Sequence, residues 1–291
     1  MWVANTITDL HRQRRALTGT VVLVPTMGAL HEGHHRHIET ARQIGDHVIV
    51  SIFVNPAQFS PAEDYRQYPR PLELDLAACE EQGADGVFCP SVDQIYPTDQ
   101  PATELTVPQL ANLFEGRSRP GHFAGVCRVV AKLFNLVQPD VATFGQKDYQ
   151  QLLVVQAMVA DLNIPVRIEP IDTVRDAAGT ALSSRHSYLS PAGHERAGGL
   201  HKALAAARLQ VEDQSETDPR AIESTMVQTL AAHQIDVDYA VVRHPQTLAS
   251  LDCIEPQLTG GVVALVAGYV EGVRLIDNML LAGGGDVRSG A

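Results

Sequence analysis

The stretch that decides the fold is Val21 to Thr40, VVLVPTMGALHEGHHRHIET. A β-branched apolar run passes through a glycine-containing turn into a segment with helical patterning. Two chemistries compete for its histidines. His31, Glu32 and His35 spell the H-E-x-x-H of a zinc protease, whereas His31 to His34 spell HEGH. A zinc protease needs both histidines in mid-helix and a third ligand downstream. Ile38 and Ala41 stand where the extended pattern requires Gly and His, and Gly33 weakens a helix from inside the motif. A strand, a tight turn and a helix start make an anion site instead: backbone N–H groups and the positive end of the helix dipole face the crevice. Gly28 is expected to let an anion approach the backbone. His31 and His34, three apart, should project from one face of the first helical turn.

Outward from this stretch, strand-like and helix-like runs alternate. HVIVSIFV, GVFCP, VATFG and VRIEPI read as strands, and RPLELDLAACEEQG, FAGVCRVVAKLFNLVQP and QQLLVVQAMVADLN read as the helices between them. That rhythm predicts an α/β fold, a parallel sheet covered by helices, over residues 1–173. The character changes near Val174. A polar Gly- and Ser-containing segment, RDAAGTALSSRHSYLS, leads into two Ala-rich helical stretches and the runs VDYAVVRH, GGVVALVAGYV and VRLIDNML. A smaller mixed α/β domain is expected for 174–291, and the tail AGGGDVRSGA reads as disordered.

Charge and cysteines narrow the function classes. With 22 Lys and Arg against 34 Asp and Glu in 291 residues, the net charge is −12, which repels nucleic acid; the one basic run, Arg12 to Arg15, reads as a solvated helix face. Cys79, Cys89, Cys127 and Cys253 lack zinc-like or paired spacing, which suits reduced thiols in a cytoplasm. The N-terminal residues lack the apolar core of a signal peptide, and GGVVALVAGYV is too short to span a bilayer. A cytoplasmic protein without nucleic-acid or membrane partners is the expectation.

Distant segments favour the anion reading. FGQKDYQQ follows a strand, so Lys147 and Asp148 emerge at a strand C-terminal end, where open α/β sheets bind ligands. LSSR, Leu182 to Arg185, supplies two hydroxyls and a guanidinium suited to phosphate oxygens. Each segment alone is ordinary surface; together they favour a phosphate site.

As an ordered set, PTMGALHEGH, SIFVNPAQF, YPR, RPGHFAGV, FGQKDYQQ and SSR..YLS, spanning Val24 to Ser190, closely resemble the pantoate–β-alanine ligase family. The resemblance implies a Rossmann-like sheet of the HIGH-type nucleotidyltransferase group. It also implies ATP-dependent condensation of pantoate with β-alanine through a pantoyl adenylate, with AMP and pyrophosphate released, and a homodimer formed through the N-terminal domain. By the same resemblance His34, assisted by His31, would serve adenylation, and Lys147 would hold the phosphates. ATP would lie along Met27, Gly28, Ala29, Leu30, His31, Glu32, Gly33 and His34, with Gly145, Gln146, Lys147, Asp148 and Val174 near the nucleoside. Leu182, Ser183, Ser184 and Arg185 would belong to a loop closing over the triphosphate. Gln58 and Gln151 would read pantoate, Asn55 would order that wall, and Asp75 would contact a Mg²⁺ bridging phosphate oxygens. The chain departs from the family pattern at Ala178, Thr180, Leu182 and His186, commonly Asp, Leu, Met and Asn. It departs again at His35 and His37, normally apolar, and at Arg128, usually Thr.

Two other classes share part of this pattern. A class I aminoacyl-tRNA synthetase has a HIGH-type start but needs an RNA-binding surface that this acidic chain does not offer. A non-catalytic nucleotide sensor would keep the phosphate grip but has no use for paired Gln side chains at a second pocket.

Overall fold

The computed structural model describes residues 1–59, 65–255 and 260–281. The chain divides into two compact units, Met1–Val174 and Arg175–Ala291; the tail expected to be disordered lies outside the described residues.

In the first unit, β1 (Trp2–Ala4), β2 (Val21–Thr26), β3 (His47–Ile52), β4 (Gly86–Phe88), β5 (Val141–Gly145) and β6 (Arg167–Ile171) form one parallel sheet in the order β1-β4-β3-β2-β5-β6. Val21 to Val24 are all fully buried. Successive strand residues point to opposite faces, so both faces of β2 are covered, as a near-continuous apolar run requires. Pro170, which cannot donate to a ladder, sits in the edge strand β6. The helices are α1 (Ile7–Arg14), α2 (Glu32–Ile44), α3 (Leu72–Glu81), the short α4 (Val92–Ile95), α5 (Pro108–Ala111) and α6 (Phe114–Ser118), then α7 (His122–Val137) and α8 (Tyr149–Asp161).

The order of strands positions the site. From β2 the chain winds outward through β3 and β4, then returns to place β5 and β6 on the other side of β2. The winding direction reverses between β2 and β5, so the loops leaving their C-terminal ends diverge and leave a crevice. The glycine-containing turn before HEGH leaves one strand, and Gln146 to Asp148 leave the other.

Two details depart from the sequence reading. The short β1 pairs with β4, Trp2 opposite Gly86, in a stretch where no strand was foreseen. The basic run is also more than a solvated face. Arg12 pairs with Asp9 at 2.7 Å, but Arg14 donates to the carbonyls of Val137 (2.8 Å) and Gln138 (2.9 Å), the last acceptors of α7.

The second unit packs α9 (Pro191–Arg208) and α10 (Pro219–Ala232) with an antiparallel sheet of β7 (Asp236–Arg243), β8 (Val262–Val270) and β9 (Val273–Leu281), β8 in the middle. GGVVALVAGYV therefore supplies a central strand, and its core includes Ala203, Leu204, Ile222, Met226, Leu230 and Val266. On α9, Gly199 leaves room for His233 and Ile235, which a Cβ there would meet at 2.6 and 2.9 Å. Among the described residues no helix is long and apolar enough to cross a membrane.

Candidate functional site

The turn after β2 is held from a distance. Gly28 and Ala29 adopt left-handed conformations, φ +81° and +52°. Asp75, on α3 and only 2% exposed, accepts the amides of Ala29 (Oδ2, 2.9 Å) and Leu30 (Oδ1, 2.8 Å). A Cβ on Gly28 would lie 2.8 Å from Asp75 Oδ2 and 3.1 Å from Ile52 Cγ2. The group packed where a side chain at Gly28 would stand is thus a carboxylate of the protein. The Ala29 and Leu30 amides are also already engaged. Both Asp75 oxygens face these amides, and among the described residues no group of three His, Cys, Asp or Glu could hold a metal ion.

The first turn of α2 is capped by its own histidines. His31 is the N-cap, its Nδ1 accepting the Gly33 amide at 3.1 Å, and His34 Nδ1 accepts the His31 amide at 3.3 Å. The two rings lie 4.2 Å apart between centroids, tilted by 44°. Because an amide N–H can only donate, both Nδ1 atoms are acceptors and each neutral ring carries its proton on Nε2. Burial, reinforced by the Lys147 ammonium, lowers the pKa of His31, and burial with His31 and His37 nearby holds His34 well below the ordinary histidine range. The pair thus presents two neutral Nε2–H donors at physiological pH.

His37, one turn further along α2, is a site neighbour that the sequence reading treated only as an unusual residue. Its Nδ1 lies 2.9 Å from Thr143 Oγ1 on β5, and burial brings its pKa down to about 4. His35 instead faces Glu32 at 3.4 Å. Lys147 follows β5 in a 3-10 turn, with Nζ 3.4 Å from Asp148 Oδ1, and Gln146 Nε2 donates to Asp172 at 3.1 Å. The influence of Lys147 on His31 puts the loops of β2 and β5 in one electrostatic neighbourhood.

A second polar wall stands beside the turn. Gln58, 7% exposed, places Nε2 3.3 Å from the Met27 sulfur. Asn55, 1% exposed, donates to Gln58 Oε1 (2.9 Å) and the Gly125 carbonyl (3.1 Å), and accepts from the Ala57 amide (3.2 Å) and the Tyr96 hydroxyl (2.8 Å). All four hydrogen-bonding positions of its amide are used within the protein, so Asn55 orders the wall through Gln58 instead of contacting a ligand itself. Gly125 is required here because a Cβ would collide with the Ala57 carbonyl. On α8, Gln151 is half-buried, whereas the adjacent Gln150 is buried and tied to Leu110, Leu113 and Glu115.

In the second unit Ser183 caps a 3-10 turn over Ser184–Tyr188, accepting the Arg185 amide at 3.3 Å. The segment before it is anchored, contrary to its polar composition. Arg175 forms a two-pronged pair with Asp277 (2.7 and 3.0 Å), Asp176 Oδ1 accepts the amides of Ala178 and Thr180, and Thr180, Ala181 and His186 are buried. Leu182 to Arg185 remain half-buried between these anchors.

The chain matches the family described as Pantoate-beta-alanine ligase over residues 2–280. It is 47% identical over 277 residues to a pantothenate synthetase of Acidothermus cellulolyticus, covering 95% of this chain and 90% of the relative. The solved pantothenate synthetase of Thermus thermophilus superposes with a TM-score of 0.90 at 44% identity, covering 97% of this chain and all of that one. The pantoate-β-alanine ligase of Francisella tularensis, solved in complex with β-γ ATP and β-alanine, superposes with a TM-score of 0.78 at 33% identity, covering 96% and 97%.

Proposed function

From the premise that the chain belongs to the pantoate–β-alanine ligase family, we propose that it condenses pantoate with β-alanine at the expense of ATP. The pantoate carboxylate attacks the α-phosphorus in line and expels pyrophosphate, leaving pantoyl adenylate. The β-alanine amine then attacks the acyl carbonyl and expels AMP. Neither step needs a protein nucleophile; both depend on positioning and on stabilising charge as it develops.

The observation that carries this reading is the pair of neutral imidazoles with fixed tautomers beside Lys147. His34 Nε2–H, assisted by His31, donates to phosphate oxygens as negative charge shifts toward the leaving pyrophosphate, and Lys147 balances that charge. Ser183, Ser184 and Arg185 bring further donors to the triphosphate. Gln58 and Gln151 read pantoate, and the backbone from Gly145 to Asp148 with Val174 borders the nucleoside. A Mg²⁺ brought in with the nucleotide would supply charge neutralisation at the phosphates and would need few protein ligands. Asp75, whose oxygens each accept one turn amide, would reach that ion only through the lone pairs left over. A cytoplasmic homodimer completes the proposal, supported by the resemblance and by four free cysteines.

The test is isotope exchange between pyrophosphate and ATP. Exchange should require pantoate and proceed without β-alanine, and AMP should accumulate when all three substrates are present. Exchange that ignores pantoate would remove the adenylate route.

A further inference from the structure

The wall made by Asn55 and Gln58 contains a hydrogen-bond chain whose direction can be read without ambiguity. An amide N–H only donates and a carbonyl only accepts. The bonds of Asn55 to the Ala57 amide and the Gly125 carbonyl therefore fix which end of its carboxamide is oxygen. It follows that the Tyr96 hydroxyl donates to Asn55 Oδ1 and that Gln58 accepts through Oε1. Gln58 is then left with its NH₂ end against the Met27 sulfur at 3.3 Å. A thioether is a weak acceptor, so an oxygen arriving there makes the better bond. The polarity of this wall is set: it offers a donor, and it suits a carboxylate or hydroxyl oxygen over an amide N–H.

The two short bonds of Asn55 go to Gln58 and Tyr96, at 2.9 and 2.8 Å; the two backbone bonds are longer. Tyr96 is itself held. It follows α4, its amide bonds to the Val92 carbonyl at 2.7 Å, and its ring carries the Arg128 guanidinium 4.5 Å from its centroid, with the Lys132 ammonium at 5.8 Å. Burial pushes the phenol up to about 12, so it keeps the proton that the chain requires.

We propose that Tyr96, steadied by Arg128, is a positioning residue for the acid substrate: through Asn55 it keeps the NH₂ end of Gln58 turned toward the substrate oxygen. The proposal rests on the reading of Gln58 as a pantoate contact. Tyr96→Phe and Gln58→Ala, singly and together, separate the two in steady-state kinetics of the full chain. Tyr96→Phe should raise the KM for pantoate about tenfold and leave the KM values for ATP and β-alanine within about twofold. In the Gln58→Ala background it should add nothing further. A rise of equal size in both backgrounds, or an equal rise for all three substrates, overturns the proposal. Gln58→Ala with an unchanged pantoate KM overturns the reading of Gln58 instead. The lock itself is then judged by the side-chain amide resonances of Asn55 and Gln58 in NMR spectra. They should move in Tyr96→Phe and move less in Arg128→Thr; resonances that stay in place overturn it.

Discussion

Around the turn after β2 the polar groups are already bonded within the protein: Asp75 holds two turn amides, His31 and His34 accept the Gly33 and His31 amides, and Asn55, just after β3, has no hydrogen-bonding position left. At Leu182–Arg185 the chain is half-buried on one 3-10 turn, with anchors on either side of it. Both regions carry donors suited to phosphate. The first holds its donors in place before any ligand arrives, which is what charge stabilisation in a transition state needs. The second carries its donors on a short capped turn between anchored residues, and the proposed grip on the triphosphate would draw on the adaptability of such a segment. The contrast suggests that losses in the first region fall on the chemical step and losses in the second on nucleotide binding.

The strongest way to break that division is His34→Ala. It should slow single-turnover adenylate formation by about 10²- to 10³-fold with little change in Tm. Normal adenylation by the folded variant would remove the histidine pair from the chemistry. Next comes acid stability. The folded pKa of His37, about 4, lies below its unfolded value of 6.5, so the unfolded chain takes up the proton first as pH falls. Stability is full above about 6.5 and is lost down to about 4. His37→Met removes this titration, and the gap in unfolding free energy between pH 7 and pH 4 should narrow by about 3 kcal/mol in denaturant melts. An unchanged gap would show that His37 does not resist protonation.

Asp75→Asn tests how far the turn depends on its remote carboxylate. One acceptor becomes a donor facing an amide, so stability should fall by about 2 kcal/mol and kcat/KM for ATP by about tenfold. Retention of both would mean that the turn holds itself. Arg185→Lys, in the adaptable region, should raise the KM for ATP about fivefold and leave pantoate unaffected, because the compact Lys ammonium lacks the planar two-pronged fork of Arg. Hydrogen exchange sharpens this further: the amides from Leu182 to Arg185 should gain protection with ATP, while Thr180, already bonded to Asp176, should change little. The smallest effect is expected from Thr180→Val. The Thr180 hydroxyl is buried without a hydrogen-bond partner, so Val should raise stability by about 1 kcal/mol, read as a small rise in Tm.

Periodicity made the strands β2 to β6, the longer helices between them and the turn at Gly28 legible, because each depends on residues within one window of sequence. The histidine pair was legible for the same reason: a spacing of three at a helix start is local information. Asp75 was not legible as the holder of the turn, since 45 residues separate it from Leu30 and nothing in its own helix signals the contact. The same holds for Arg14, which reaches Val137 across 123 positions, and for Tyr96, whose bond to Asn55 spans 41. Asn55 was legible only as part of the wall beside Gln58; the count of its partners is what shows that its amide is full. The segment near Thr180 looked unanchored because Thr, Ala and His carry little apolar signal, yet Asp277 and the Asp176 turn fix it through bonds that composition does not encode.

The place of β1 bears on how the chain assembles. It is the first of this sheet's strands in the chain, yet its strand partner β4 begins only at Gly86, so for more than eighty residues of synthesis it has no strand to pair with. The sheet must therefore grow from the β2–β3 pair outward, with the earliest strand docking after its elders in space though not in time. An edge is the one berth in a parallel sheet that admits such a latecomer without breaking a ladder already formed. Nascent chains stalled before Gly86 has emerged from the exit tunnel, and after Phe88 has, should differ sharply in the protease resistance of Trp2 to Ala4.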